Sequence, residues 1–440
     1  MHSADERAHR RVAGELAQYA CSMTGFAFQA ASIAEDLSVV IFGERDCVNA
    51  FPRLSTFGGA QEWNFYTAAL REDDVIGGRA EERLLACVRA VASRGRPILV
   101  LSTCVTEMIG ADAAPVCAQV EAETGVRVVP VRTSGLNPRT QAEVMDWFAQ
   151  VLWDSFRMSG DPEPDRINVI GYQTRPPPDP RFVALSFRGE LDTVLQGFGL
   201  RLNAAVPAGA RLHDWAALPL GGLTCVSERA LYRRLCDLLD RSGRPVVEVP
   251  PPKGVAGTDA FYETVARTAG VSDRARLDSI PERRLAAEAL AEGRARFSGV
   301  RLAYGLGSHH NFEASQIAFE GLADLPLLQE LGFEVTLVIQ ERDRPEVHER
   351  IQRNLAALGV DLHYHLFYEP AVLAPLLKET GAQVAYLSDF LSDQADQAGV
   401  SLVRLGRLQS GYRGVPDAVG LFSRALVGGF EARHRRYLRT

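Results

Sequence analysis

The sequence predicts an α/β protein built of three Rossmann-like domains with parallel sheets. Three observations carry that prediction. Short runs rich in Val and Ile recur along the chain, segments of helical periodicity separate them, and 440 residues suffice for about three domains of ordinary size. Strands that alternate with helices pair in parallel through crossover helices. Two stretches rich in Pro and Asp, Gly160–Arg166 and Pro176–Pro180, are candidate linkers. The expected domains are 1–160, 161–295 and 296–440.

In the first third, Ser38–Phe42, Ile98–Leu101 and Val126–Val131 read as buried strands. Glu82–Ala92 and Ala114–Thr124 read as helices, the second closed by Gly125 as C-cap. Gln141–Phe156 is a further helix, entered through Thr-Ser-Gly-Leu-Asn-Pro (133–138). The middle third opens on the strand Ile167–Tyr172 and runs through a helical Glu190–Phe198 to the apolar stretch Leu218–Thr224. An amphipathic pattern over Thr224–Leu239 predicts a helix with Ser227 as its N-cap. On it Cys236, set among Leu235, Leu238 and Leu239, is a core residue. Pro245–Pro250 is the next strand, and Gly254–Phe261 caps the helix that follows. The last third begins with strand, Gly-rich turn and helix over Gly299–Glu313. Strands Phe333–Gln340, Leu362–Phe367, Gln383–Ser388 and Ser401–Leu405 come after it. Helices Pro345–Leu358 and Glu369–Glu379 lie between them, the first opened by a proline where a helix tolerates one best. A last helical pattern starts at Asp417, and no repeat relates the three thirds.

Composition removes several function classes. Hydrophobic residues make up 46% and charged residues 23%, as in a soluble globular protein with a sizeable core. A net charge of −7 argues against a nucleic-acid partner, which would want a basic face. Seven cysteines are too few, and odd in number, for a secreted disulfide scaffold. No apolar stretch follows the polar Met1–Val12, and no run of about 18 apolar residues occurs, so neither a secretory signal nor a membrane span is expected. A reducing cytoplasm is the expected location.

Three cysteines stand in settings that suit a metal ligand. Cys21 lies in Ala-Cys-Ser-Met-Thr-Gly-Phe (20–26), just before a helical run. Cys47 ends the turn Gly-Glu-Arg-Asp-Cys (43–47) after one strand, and Cys104 ends another strand in Leu-Ser-Thr-Cys (101–104). Strand ends are where an α/β sheet presents its functional loops, and thiolates are the usual ligands of iron–sulfur clusters. The spacings are too wide for a zinc knuckle or a ferredoxin-type run. Tertiary structure would have to gather such ligands; the alternative is three buried structural thiols.

The ordered set Cys21, Gly-Glu-Arg-Asp-Cys47 and Ser-Thr-Cys104-Val-Thr-Glu-Met-Ile-Gly-Ala-Asp resembles the N-terminal cluster-binding domain of the nitrogenase component 1 superfamily. The resemblance extends over nearly the whole chain. It implies that Cys21, Cys47 and Cys104 hold an interfacial iron–sulfur cluster, P-cluster-like or of the 4Fe–4S type, shared with a homologous second subunit in a heterotetramer. The loop 133–138 with Met145-Asp-Trp147 resembles the nitrogenase α subunit beside its cofactor, with Asn137 near the family's histidine. Cys225 resembles the single cysteine that ligates one end of that cofactor, which implies a larger iron–sulfur cofactor here; its other reading is a core cysteine beneath the following helix.

The loop 305–311 stands where the family sets a Gly-Gly-x-Arg loop against the cofactor. Gly305 and Gly307 permit close backbone approach, and Ser308 begins the turn toward the helix. His309 and His310 are proton-donor candidates, or else cap and solvent residues. A departure comes late. Where the family supplies a histidine ligand before a Gly-Tyr-x-Gly turn, Leu405–Gly414 has none, and Gly406 or Arg407 takes its place. That argues against dinitrogen reduction and leaves Arg407 as an electrostatic clamp.

The sequence has no Gly-x-x-x-x-Gly-Lys-Ser/Thr loop and no Gly-Lys dipeptide. ATP hydrolysis, if it drives the chemistry, falls to another protein, and the resemblance implies a separate dimeric iron–sulfur ATPase. The expected function is a subunit of the catalytic component of a nitrogenase-like two-component reductase, matched best to reductive C–S cleavage of methylthio-alkanes. The alternatives are a scaffold for nitrogenase cofactor assembly and a β-like partner with only the interfacial cluster. Outside the family, a nucleotide-sugar enzyme of similar fold is the generic reading.

Overall fold

Three sheets of parallel strands organise the chain, as its α/β pattern predicts. The structure is a computed structural model and describes residues 21–31, 33, 35–45, 47, 64–136, 139, 141–172, 187–207, 210–272, 276–307, 322–357, 359–388 and 391–427. The first sheet holds β1 (Ser38–Phe42), β2 (Phe65–Thr67), β3 (Ile98–Ser102) and β4 (Val128–Val131) in the order β2-β1-β3-β4. The second holds β5 (Glu163–Tyr172), β6 (Arg201–Pro207), β7 (Gly221–Val226) and β8 (Val246–Glu248) in the order β6-β5-β7-β8. The third holds β9 (Arg301–Gly307), β10 (Glu334–Gln340), β11 (Tyr364–Phe367), β12 (Val384–Leu387) and β13 (Ser401–Arg404) in the order β11-β10-β9-β12-β13.

These orders fix where chemistry can sit. The first sheet reverses direction of growth between β1 and β3, and the third between β9 and β12. At such a switch point the loops leaving the two strands diverge to opposite faces and open a crevice at the carboxyl ends. Cys47 follows β1 and Cys104 follows β3. Strand register is set by apolar runs buried on both faces: Val39, Val40, Ile41 and Phe42 are all fully buried against Leu99 to Ser102. On one face Val40, Phe42, Ile98 and Val100 join Leu84, Val88, Val116 and Val120 in one core.

The described residues form two compact units. One comprises the described residues as far as Glu163 with those of Asn203–Gly221 and Ala230–Arg244; the other comprises those of Pro164–Leu202, of Gly222–Arg229 and from Pro245 onward. In the first, the helix Ser22–Ala31 lies on Gln141–Phe156, where Phe26 meets Trp147 and Phe148 edge-on at 4.9 and 5.2 Å. Phe148 in turn meets Trp215 at 5.6 Å.

One predicted element is corrected. The helix expected after the N-cap candidate Ser227 begins later: Thr224, Cys225 and Val226 end β7, paired with Val246, Val247 and Glu248 of β8, and Arg229–Tyr232 forms a 3-10 turn. The helix starts only at Arg233. Thr224 and Val226 are β-branched and, with Cys225, fully buried beside another strand, a setting that favours β-structure. Sequence reading also passed over β2, β6 and the helices Leu212–Ala217 and Pro281–Phe297.

Candidate metal centre

Hydroxyl groups join the strand ends at the first switch point. Thr103 Oγ1 donates to the Phe42 carbonyl at 3.1 Å, linking the end of β3 to the end of β1. Thr106 Oγ1 accepts from Thr103 N–H at 3.0 Å and reaches the Phe42 carbonyl at 3.2 Å. Gly43 packs flat against Thr103: a Cβ there would run into the threonine side chain. On the other side Thr133 Oγ1 donates to the Ser102 carbonyl at 2.8 Å, tying the loop after β4 to β3. That loop turns at Ser134, whose Oγ accepts from Leu136 N–H at 3.1 Å.

This framework brings two of the predicted cysteines together at Gly135. The point where a Cβ would sit on Gly135 lies 3.0 Å from Cys21 Sγ and 3.3 Å from Cys104 Sγ. The glycine thus leaves a cradle that the two sulfurs flank. Cys21 is exposed and starts the helix Ser22–Ala31, its carbonyl accepting from Gly25 N–H at 2.8 Å; Cys104 is half-buried at the first helical position after β3. Soft sulfur donors around an open space suit iron, so these residues fit an iron–sulfur cluster on two of three expected ligands. Cys47 is half-buried in the segment after β1. Among the described residues, no three His, Cys, Asp or Glu side chains form a metal-holding group, so Cys47 does not complete the set as the chain stands. Met108, Ile109 and Leu136, close in sequence to Cys104 and Gly135, are exposed.

Cys225 has a different setting. It is the penultimate residue of β7, opposite Val247, with no exposed surface. Burial pushes its thiol up to about 12, so it is protonated at neutral pH. That holds for the metal-free chain; an iron bound to the sulfur would itself displace the proton.

The remaining predicted residues divide between the third sheet and undescribed positions. Gly305 lies in β9 between its neighbour strands, and Leu387 fills the space its Cβ would need, so sheet packing alone requires a glycine there. Gly307 ends β9 at the switch point. Asn137, Ser308, His309 and His310 lie outside the described residues. Arg407 is exposed in the segment that follows β13.

That segment is held by groups the sequence reading missed. Gly406 N–H donates to Tyr386 Oη at 3.0 Å, and Tyr386 donates to Asp324 Oδ2 at 2.7 Å. Lys253 Nζ makes a charge contact of 2.8 Å with Asp324 Oδ1 and donates to the Leu408 carbonyl at 2.7 Å. Further along, the fully buried Glu190 accepts from Tyr412 N–H and Arg413 N–H, both at 3.0 Å, and from Tyr262 Oη at 3.1 Å. Burial outweighs these donors and raises the Glu190 carboxyl to about 7. No spacing betrays such partners, because they lie 20 to 223 residues apart in the chain.

Comparison with known proteins decides the family. A family model described as nitrogenase component 1 type oxidoreductase matches residues 21–385. The chain belongs to this family. Among curated relatives, the nitrogenase iron-molybdenum cofactor biosynthesis protein NifE of Sinorhizobium fredii is 24% identical over 72% of this chain and 62% of its own length. The protein of the same name from Nostoc is 25% identical over 78% of this chain and 67% of its own, and that of Rippkaea orientalis 24% over 87% and 80%. The chain therefore spans somewhat under two thirds of the Sinorhizobium relative's length. A solved structure, nitrogenase Cp1 at pH 6.5, superposes with a TM-score of 0.69 at 14% identity, covering 93% of this chain and 89% of that one. At that identity the likeness establishes the nitrogenase component 1 fold.

Proposed function

We propose that this family member is a cluster-bearing scaffold on which an iron–sulfur cofactor is assembled. The observation that carries the reading is the pair of sulfurs on either side of Gly135. Cys21 and Cys104 would hold an interfacial cluster, with Cys47 as the third ligand from the adjoining strand end. Such a cluster supplies low-potential electron transfer when bound. The exposed Met108, Ile109 and Leu136 beside it suit burial against a homologous subunit.

NifE relatives, named for cofactor biosynthesis, support the scaffold reading. The second reading is a subunit of a two-component reductase that receives electrons from an ATP-hydrolysing partner and cleaves C–S bonds of methylthio-alkanes. The oxidoreductase family favours it.

Iron and acid-labile sulfide in anaerobically purified protein test the site. Cys21→Ala and Cys104→Ala should each deplete the cluster, while Cys225→Ala should keep it. Incubation with a cofactor-deficient nitrogenase component 1 then separates the readings. A scaffold passes a second iron species to the acceptor. A catalyst keeps it and turns over methylthio-alkanes when given reductase and ATP, and that result would overturn the proposal.

A further inference from the structure

Without metal, the two sulfurs at Gly135 have another chemistry open to them. Each lies within 3.3 Å of one point, the Cβ position of Gly135, so they are no farther apart than twice that distance. Beyond Gly135 and its chain neighbours, the next atom to that point is Cys21 Cβ at 3.9 Å. Rotation about the Cα–Cβ bonds moves each sulfur between staggered positions, and a disulfide needs the sulfurs at about 2.05 Å with the two Cβ atoms roughly 4 Å apart.

The two differ in access, as an attacking and a resolving thiol do. Cys21 is exposed and meets an oxidant first; Cys104 is half-buried one step behind it. Three of the other thiols are poor competitors. Cys117 and Cys225 are buried and pushed up to about 12, and burial also raises Cys87.

We infer that Cys21 and Cys104 form an intrachain disulfide when the metal-free chain meets a low-molecular-weight disulfide. The Cys21 sulfur attacks one sulfur of that reagent, giving a mixed disulfide and one released thiol, which takes the Cys21 proton. The Cys104 sulfur then attacks Cys21 Sγ, expelling the second thiol with the Cys104 proton. Two protein thiols are oxidised, one reagent disulfide is reduced to two thiols, and no other electron acceptor is needed. The pairing rests on the sulfur geometry and stands whether or not the same thiols hold a cluster.

The test uses the full chain, freed of iron with a chelator and reductant, then exposed to oxidised glutathione, alkylated, digested and analysed by mass spectrometry. The expected product joins the Cys21 and Cys104 peptides, disappears with dithiothreitol, and leaves Cys47 alkylated. In Cys104→Ser, Cys21 should accumulate as its glutathione adduct. Cross-links that run through Cys47, or adducts on both Cys21 and Cys104 of the unmodified chain without a cross-link, would overturn the inference. Iron uptake, measured separately on reduced chain, reports on the cluster: a cross-link with no iron uptake sinks the cluster reading and leaves the disulfide intact.

Discussion

At the β1–β3 switch point, neutral groups join the loops: Thr103, Thr106 and Thr133 bond carbonyls of neighbouring strand ends, and no charge is buried to do it. The segment after β13 is joined by charge. Lys253 and Asp324 hold it at Gly406 and Leu408, and Glu190 holds it at Tyr412 and Arg413. Neutral hydrogen bonds contribute about 1 kcal/mol each and keep their strength across pH. Buried ionised groups cost several kcal/mol to desolvate and give it back only while every partner is present. The first region should thus fail by sterics at its thiols, the second by loss of a partner or a change of protonation.

The largest effect expected is at Gly135. Gly135→Val fills the space that Cys21 Sγ and Cys104 Sγ flank at 3.0 and 3.3 Å. Bound iron should fall to background in the anaerobically purified protein. The thermal midpoint should move little, because Gly135 is a partly exposed loop residue. Full iron content in this variant would show that the cradle is not where metal binds.

Next in size is the charge pair. Lys253 and Asp324 side chains are only 11% and 9% exposed, so Lys253→Ala leaves a buried carboxylate with Tyr386 as its remaining partner. Urea denaturation should show a loss of about 3–5 kcal/mol, and Lys253→Met combined with Asp324→Asn should recover part of it. A loss under about 1 kcal/mol in the single variant would remove the contrast with the hydroxyl-linked region.

Much of this was legible in the chain. Strands β1, β3 and β10 fall within a residue of their predicted bounds, because runs of Val, Ile and Leu buried on both faces leave no other reading. The loops bearing Cys47 and Cys104 were readable for the same reason: they follow strands that could be seen. Cys225 was readable at a strand-to-helix junction, but the helical rhythm of Leu235, Leu238 and Leu239 does not show that the α-helix waits until Arg233. Gly135, Lys253, Asp324 and Glu190 were beyond reach. Each matters through partners distant in the chain, and a lone Gly or Glu carries no trace of that in its neighbours.

The smallest effect is also the most diagnostic, because it turns on pH. Glu190 is fully buried, and its carboxyl is raised from the ordinary 4.5 to about 7. In the unfolded chain it titrates near 4.5, so between those values the folded form holds a proton that the unfolded form has released. Stability from this group is therefore fully present below about pH 4.5 and declines as pH rises through 7, by on the order of 3 kcal/mol in total. Other raised carboxyls, Asp146, Glu330 and Asp417, add a background slope of the same sign. Glu190→Gln removes the Glu190 share alone. It also turns an amide N–H toward backbone donors that now meet carboxyl oxygens, so its stability should be lower at acid pH. The decisive quantity is the slope: urea midpoints between pH 5 and 7.5 should fall less steeply in Glu190→Gln than in the unmodified chain. Equal slopes would mean that the three donors keep Glu190 ionised throughout, and the segment after β13 would then be as indifferent to pH in this range as the hydroxyl-linked loops around Gly135.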